Sequence, residues 1–132
     1  MIGIVVVTHG DFGKELLKST EMIMGDIEKI KALSLYSGDS LDTLREQVTN
    51  EIQSIDEGDG VLVLVDLFGG SPCNAAAVNV REDNVECVAG LSMPMLIKAV
   101  EARMSMPLKE LPKECMEYVQ ESAVNVKACY TS

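Results

Sequence analysis

Two stretches of this 132-residue chain, 2–7 (IGIVVV) and 61–65 (VLVLV), contain no polar residue. A strand with one face in water alternates apolar and polar side chains, so an unbroken apolar strand has to be covered on both faces, as in a parallel sheet between helical layers. These runs are expected at the centre of such a sheet. Residues 30–36 (IKALSLY) and 85–89 (VECVA) are less uniformly apolar and read as strands nearer its edges.

Helical patterns separate the strands. Phe12, Leu16, Thr20 and Ile23 form one stripe, and Leu41, Leu44, Val48, Ile52 and Ile55 form another. Gly25 and Gly58 follow as C-terminal caps, and Asp39 is placed to cap the second helix. Pro72 and Pro94 sit where a first helical turn tolerates a missing N–H. Alternation of strand and helix with short connections predicts a doubly wound α/β fold, one domain over residues 1–132, with parallel strand order 2-1-3-4 and helices on both faces. Leu108, Leu111, Cys115 and Val119 mark a further helix. Beyond it Val124, Val126, Ala128 and Tyr130 alternate with Asn125, Lys127 and Cys129, which reads as a fifth strand, antiparallel, added to this sheet or exchanged with a second copy.

Charge removes several classes of function. With 21 acidic against 11 basic residues and a net charge of -10, neither a nucleic-acid backbone nor an anionic membrane is an expected partner. No apolar run approaches the ~20 residues of a membrane span, and the start lacks a basic signal-peptide region, so a cytoplasmic protein is expected. Cys73, Cys87, Cys115 and Cys129 have no C-x-x-C spacing and read as reduced, core-filling thiols. A single histidine and no clustered ligands give no metal site, and no phosphate-loop or dinucleotide fingerprint is present, so no cofactor is expected.

In an open parallel sheet, ligands bind beyond the carboxyl ends of the strands where the winding reverses, here between strands one and three. Thr8-His9-Gly10 stands at one of those ends and Asp66-Leu67-Phe68-Gly69-Gly70-Ser71-Pro72 at the other. His9 alone reads as a hydrogen-bonded structural histidine, and Asp66 alone as a turn cap; their convergence on one cleft changes the reading. A carboxylate accepting Nδ1–H fixes the imidazole tautomer and leaves Nε2 as a nucleophile. The turn of Gly69, Gly70 and Ser71 opens a helix and offers backbone N–H groups to an anion, with the hydroxyls of Ser71 and Thr8 as further donors, although a plain tight turn uses paired glycines equally well. Beside a nucleophilic imidazole, an anion cradle indicates phosphoryl chemistry with a protein as donor. A serine hydrolase built on Ser71, His9 and Asp66 is disfavoured, because the residue after the serine is Pro72, which has no N–H for an oxyanion hole. A regulatory anion-sensing module is the remaining alternative.

The residues THG (8–10), VDLFGGSPCNAA (65–76), AGLSMPML (89–96) and VNVKA (124–128) together resemble the enzyme IIA domain of the mannose-type family in the bacterial sugar phosphotransferase system, over essentially the whole chain. The resemblance implies that His9 takes a phosphoryl group from the phosphocarrier protein HPr and passes it to a IIB component, here a separate polypeptide. It implies that Asp66 orients the ring, that Ser71 and the amides of Gly69 and Gly70 hold phosphoryl oxygens, and that the chain forms a homodimer by exchanging its last strand. A related phosphotransfer subunit that feeds a dihydroxyacetone kinase shares these features. Met93 and Met95, beside Pro94, read as packing, or as an adaptable apolar rim for partners.

Overall fold

In the computed structural model, which describes residues 1–131, β1 (Gly3–His9) and β3 (Val61–Val65) lie side by side in the middle of a parallel sheet. β2 (Ile30–Leu35) flanks β1 and β4 (Val85–Ala89) flanks β3, giving the order β2-β1-β3-β4 that the two apolar runs predict. Every residue of β3 is buried, as is every residue of β1 except His9. That pattern is the signature of a strand covered on both sides.

The two faces of the sheet carry separate cores. Ile4, Val6, Leu62 and Leu64 face α4 (Met93–Ala102) and α5 (Leu111–Ser122), where Leu96, Ala99, Leu111 and Cys115 meet them. Val5, Val7, Val63 and Val65 face α2 (Leu41–Ile55) and α3 (Ser71–Ala77), against Leu44, Val48, Ile52, Ala75 and Ala76. Each such aliphatic side chain contributes about 1.5–3 kcal/mol by leaving water, which fixes the strand register on both sides at once.

Several local expectations are corrected by packing. Ser40, one residue after Asp39, caps α2 by accepting from the Thr43 N–H at 3.3 Å, while the Asp39 carboxylate accepts from the Tyr36 N–H. In α1 (Phe12–Met24) the inward stripe is Gly13, Leu16, Leu17 and Thr20, and Phe12 and Ile23 are turned outward. Gly13 sets that rotation: a Cβ there would meet Val6 Cγ1 at 2.8 Å, so only glycine lets α1 start this close to β1.

Among the described residues the single chain carries no fifth strand of its own. In the single chain Val126–Tyr130 is a short exposed helix, α6, and not a strand. A strand needs a ladder partner for its backbone, and the tail has none here. Asn125 supplies a local substitute, its side chain accepting from the Ala128 N–H at 3.0 Å. The four thiols are free; Cys115 is buried and Cys73 and Cys87 half-buried, but Cys129 is exposed on α6. Burial pushes the Cys87 thiol up to about 12 and that of Cys115 up to about 11, so both act as inert core groups.

Candidate functional site

The pairing register brings the two ends of the central strands together. Val7 of β1 sits opposite Val65 of β3, so His9, two residues on, and Asp66, one residue on, emerge at the same edge. Asp66 Oδ2 accepts twice from His9, from the backbone N–H at 2.9 Å and from ring Nδ1 at 2.8 Å. Its other oxygen accepts from the Leu67 N–H at 3.0 Å. The His9 side chain is 50% exposed and that of Asp66 13%. The carboxylate is therefore sheltered while the imidazole faces solvent, with Nδ1 committed and Nε2 outward.

Burial alone would push the Asp66 carboxyl up, but the bonds from the His9 backbone N–H and ring, with the charge of His9, outweigh it and hold the group below its ordinary value of 3.8. An ionised Asp66 fixes the tautomer with hydrogen on Nδ1. This is the arrangement of a nitrogen nucleophile with an orienting base.

Gly70 forms the floor under the ring. A Cβ on Gly70 would stand 3.1 Å from His9 Cε1 and 3.7 Å from Nε2, so the imidazole rests on the bare α-carbon. The Gly70 N–H closes the turn onto the Leu67 carbonyl at 3.2 Å, which removes it from the expected anion cradle. The N–H groups of Gly69 and Ser71, on either side of Gly70 in the same turn, have no acceptor among the described residues. Gly69 takes φ +81°, a left-handed conformation that glycine adopts without strain. Sequence spacing shows the glycine pair, but not that its members divide the work.

Thr8 does not belong to the cradle. It is fully buried, and its hydroxyl accepts from the Gly13 N–H at 2.8 Å and donates to the His9 carbonyl at 3.2 Å. Strand alternation is the reason, since Thr8 and His9 point to opposite faces of the sheet. The Thr8 hydroxyl instead caps the first turn of α1 and holds the His9 backbone. Three further groups are linked on the β2 side: the Tyr36 hydroxyl donates to Asp11 Oδ1 at 2.6 Å and accepts from Lys14 Nζ at 3.2 Å. Asp11, directly after the histidine turn, was the available signal for this network. Leu67 and Phe68, directly after Asp66, are exposed, Phe68 at 85%, and present an apolar rim at this end of the sheet. Met95 is buried in α4 and Met93 half-buried, so packing is their observed role. Among the described residues no cluster of His, Cys, Asp or Glu has the arrangement of a metal site, and no helix is long and apolar enough to cross a membrane.

Known proteins share this arrangement of sequence and fold. The family model described as PTS system fructose IIA component matches residues 3–116. The PTS system fructose-specific EIIA component of Bacillus subtilis is 35% identical over 123 residues, covering 92% of this chain and 84% of that protein. The PTS system mannose-specific EIIAB component of Escherichia coli is 36% identical over 129 residues, and this chain spans 40% of its length. Among solved structures, phosphotransferase system component EIIA from Streptococcus agalactiae superposes with a TM-score of 0.88 at 29% identity, covering 98% of this chain and all of that one.

Proposed function

The chain belongs to the mannose-type enzyme IIA family of the sugar phosphotransferase system, and from that premise we propose that His9 Nε2 carries a phosphoryl group between two protein partners during sugar uptake. The observation that supports this reading best is the 2.8 Å bond between Nδ1 and Asp66, which leaves Nε2 as the one open nitrogen of the chain's only histidine. The donor is HPr and the acceptor a IIB component. The phosphoryl group leaves a donor phosphohistidine as its N–P bond breaks, and a new bond forms from the lone pair of His9 Nε2. The donor nitrogen keeps the electron pair of the broken bond. Onward transfer repeats the exchange with His9 as the leaving group.

There is little covalent chemistry for the protein to assist, so positioning and electrostatics supply the rate. Asp66 holds the ring plane and offsets the positive charge that develops on it. The open N–H groups of Gly69 and Ser71, with the Ser71 hydroxyl, receive the phosphoryl oxygens. Both partners need in-line access to the same nitrogen and meet the same rim of Leu67 and Phe68, so their binding is transient and mutually exclusive. The reaction takes place in the cytoplasm. The tail around α6 pairs with a second copy in a homodimer, where a ladder partner makes residues 124–130 extended; removal of the residues after 123 then yields a monomer in light scattering.

The deciding experiment is incubation with phosphorylated HPr followed by intact-mass and peptide analysis under alkaline conditions. A gain of one phosphoryl group on the peptide containing His9 is expected. An unmodified chain beside a phosphorylated control IIA protein overturns the assignment.

A further inference from the structure

Tyr36 directly follows the last pair of the β1–β2 ladder, where His9 stands opposite Leu35. The Gly10 N–H donates to the Leu35 carbonyl at 2.7 Å, so the histidine turn and the end of β2 are already joined through the backbone. The Tyr36 hydroxyl adds a second join. It donates to Asp11 Oδ1 at 2.6 Å and accepts from Lys14 Nζ at 3.2 Å, with the same ammonium 5.4 Å from the centre of the ring. Tyr36 is in turn fixed to its own loop, its N–H donating to Asp39 Oδ2 at 2.8 Å and its carbonyl accepting from the Asp39 N–H at 3.0 Å.

Asp11 gives up a different bond to make this one. It occupies the N-cap of α1, where an aspartate ordinarily has extended backbone and accepts from the first N–H groups of the helix. Here φ and ψ are -87° and 4°, the carboxylate is directed across to Tyr36, and the Thr8 hydroxyl serves the Gly13 N–H in its place. The turn has need of such a tie. Gly10 has φ +52°, and an added Cβ there would meet no atom of the described residues within 4 Å, so packing does not hold the link between His9 and α1. Asp66 grips His9 by its backbone N–H and Nδ1; the residues after His9 depend on hydrogen bonds to Leu35 and Tyr36 for their course.

We propose that Tyr36 is a positioning residue for phosphoryl transfer: its hydroxyl, held between Asp11 and Lys14, clamps the turn that follows His9 and so sets the line along which Nε2 meets the incoming phosphorus. Charged groups at both ends strengthen the two bonds of the hydroxyl. The proposal rests on the reading of His9 as a phosphoryl carrier.

The test is a double-mutant cycle of Tyr36→Phe and Asp11→Ala in the full chain, read by rapid-quench uptake from phosphorylated HPr at several HPr concentrations. Tyr36→Phe keeps the ring and lowers the maximal rate about fivefold, because small misplacements of a reacting atom are costly in rate. The half-saturating HPr concentration stays within about twofold, since docking is left intact. The double variant is no slower than either single one, because both remove the same bond. Asp11→Asn, whose amide oxygen still accepts from the hydroxyl, recovers most of the rate lost in Asp11→Ala. Exchange of the Gly10 N–H rises about tenfold in Tyr36→Phe, with that of the Gly3 N–H at the other end of β1 unaltered, a readout that needs no phosphoryl group. An unphosphorylated wild type removes the carrier reading and the clamp together. With a phosphorylated wild type, an equally fast Tyr36→Phe, a loss confined to half-saturation, or losses that multiply in the double variant overturn the clamp alone.

Discussion

The end of the sheet that carries His9 and the end that carries Arg103 handle their polar groups in opposite ways. Around His9 the chain leaves N–H groups open, on Gly69 and Ser71, and exposes half of the imidazole. Around Arg103 it gathers three backbone carbonyls onto one buried guanidinium. The polarity of a parallel fold explains the contrast. Every strand runs the same way, so the first turns of α1 and α3, rich in unpaired donors, collect at one end, and helix C-termini, rich in acceptors, collect at the other. Arg103 caps the C-terminus of α4, where a cation is favoured. Anion chemistry thus has only one end of this sheet to occupy, and the other end is where the fold is tied together.

His9→Ala tests the first half of this contrast most severely. Phosphoryl uptake from phosphorylated HPr is lost completely in intact-mass analysis, while the melting temperature moves by no more than about 2 °C, because a half-exposed side chain is removed. Arg103→Met tests the second half and should show the reverse signature. Three carbonyls lose their donor, stability falls by about 3 kcal/mol in urea unfolding, and the folded fraction still accepts phosphate at the wild-type rate. A folded Arg103→Met chain that fails to accept phosphate breaks the division of labour between the two ends.

Asp66→Asn sharpens the picture within the reactive end. The tautomer is no longer fixed by a carboxylate, and phosphoryl uptake slows by about a hundredfold in a rapid-quench assay. The same bond has a pH signature. The carboxyl of Asp66 is lower in the folded chain than its ordinary 3.8, so its contribution to stability is complete above that value and disappears as the pH falls through the folded-state value. The urea midpoint of the wild type therefore exceeds that of Asp66→Asn at neutral pH, and the gap closes only below 3.8. A gap that closes well above it shows that the carboxylate is not held by His9.

Much of this was readable in advance, and the parts that were not share a cause. The all-apolar β1 and β3 reveal themselves because burial on two faces leaves no room for polar residues, and strand order then brings His9 to Asp66 across a long stretch of sequence. Thr8 departs from expectation because adjacency in sequence is not adjacency in space: strand alternation sends neighbouring side chains to opposite faces. Arg103 gives no local signal at all, since a buried guanidinium on three carbonyls is a product of tertiary packing. The tail misleads for a different reason: alternation in 124–130 describes a strand with a partner, and in the single chain Asn125 caps a helix there instead.

The finest division falls between adjacent glycines, and alanine at each separates backbone strain from ring position. Gly69 takes φ +81° with no atom within 4 Å of an added Cβ, so Gly69→Ala meets only the left-handed backbone and costs about 1 kcal/mol of stability. Gly70 takes φ -75° and ψ 170°, which alanine adopts freely, so Gly70→Ala leaves the melting temperature close to that of the wild type. Its methyl group, however, stands 3.1 Å from His9 Cε1, closer than a relaxed contact. The ring must lift by a few tenths of an ångström, and Nε2 moves out of line with the open N–H groups. Phosphoryl uptake then falls by roughly tenfold, with the His9 Cε1–H resonance displaced in the folded variant. In Gly69→Ala that resonance stays near its wild-type position. If instead the two alanines affect stability and the ring resonance alike, the imidazole is not seated on Gly70 and the floor of the site lies elsewhere.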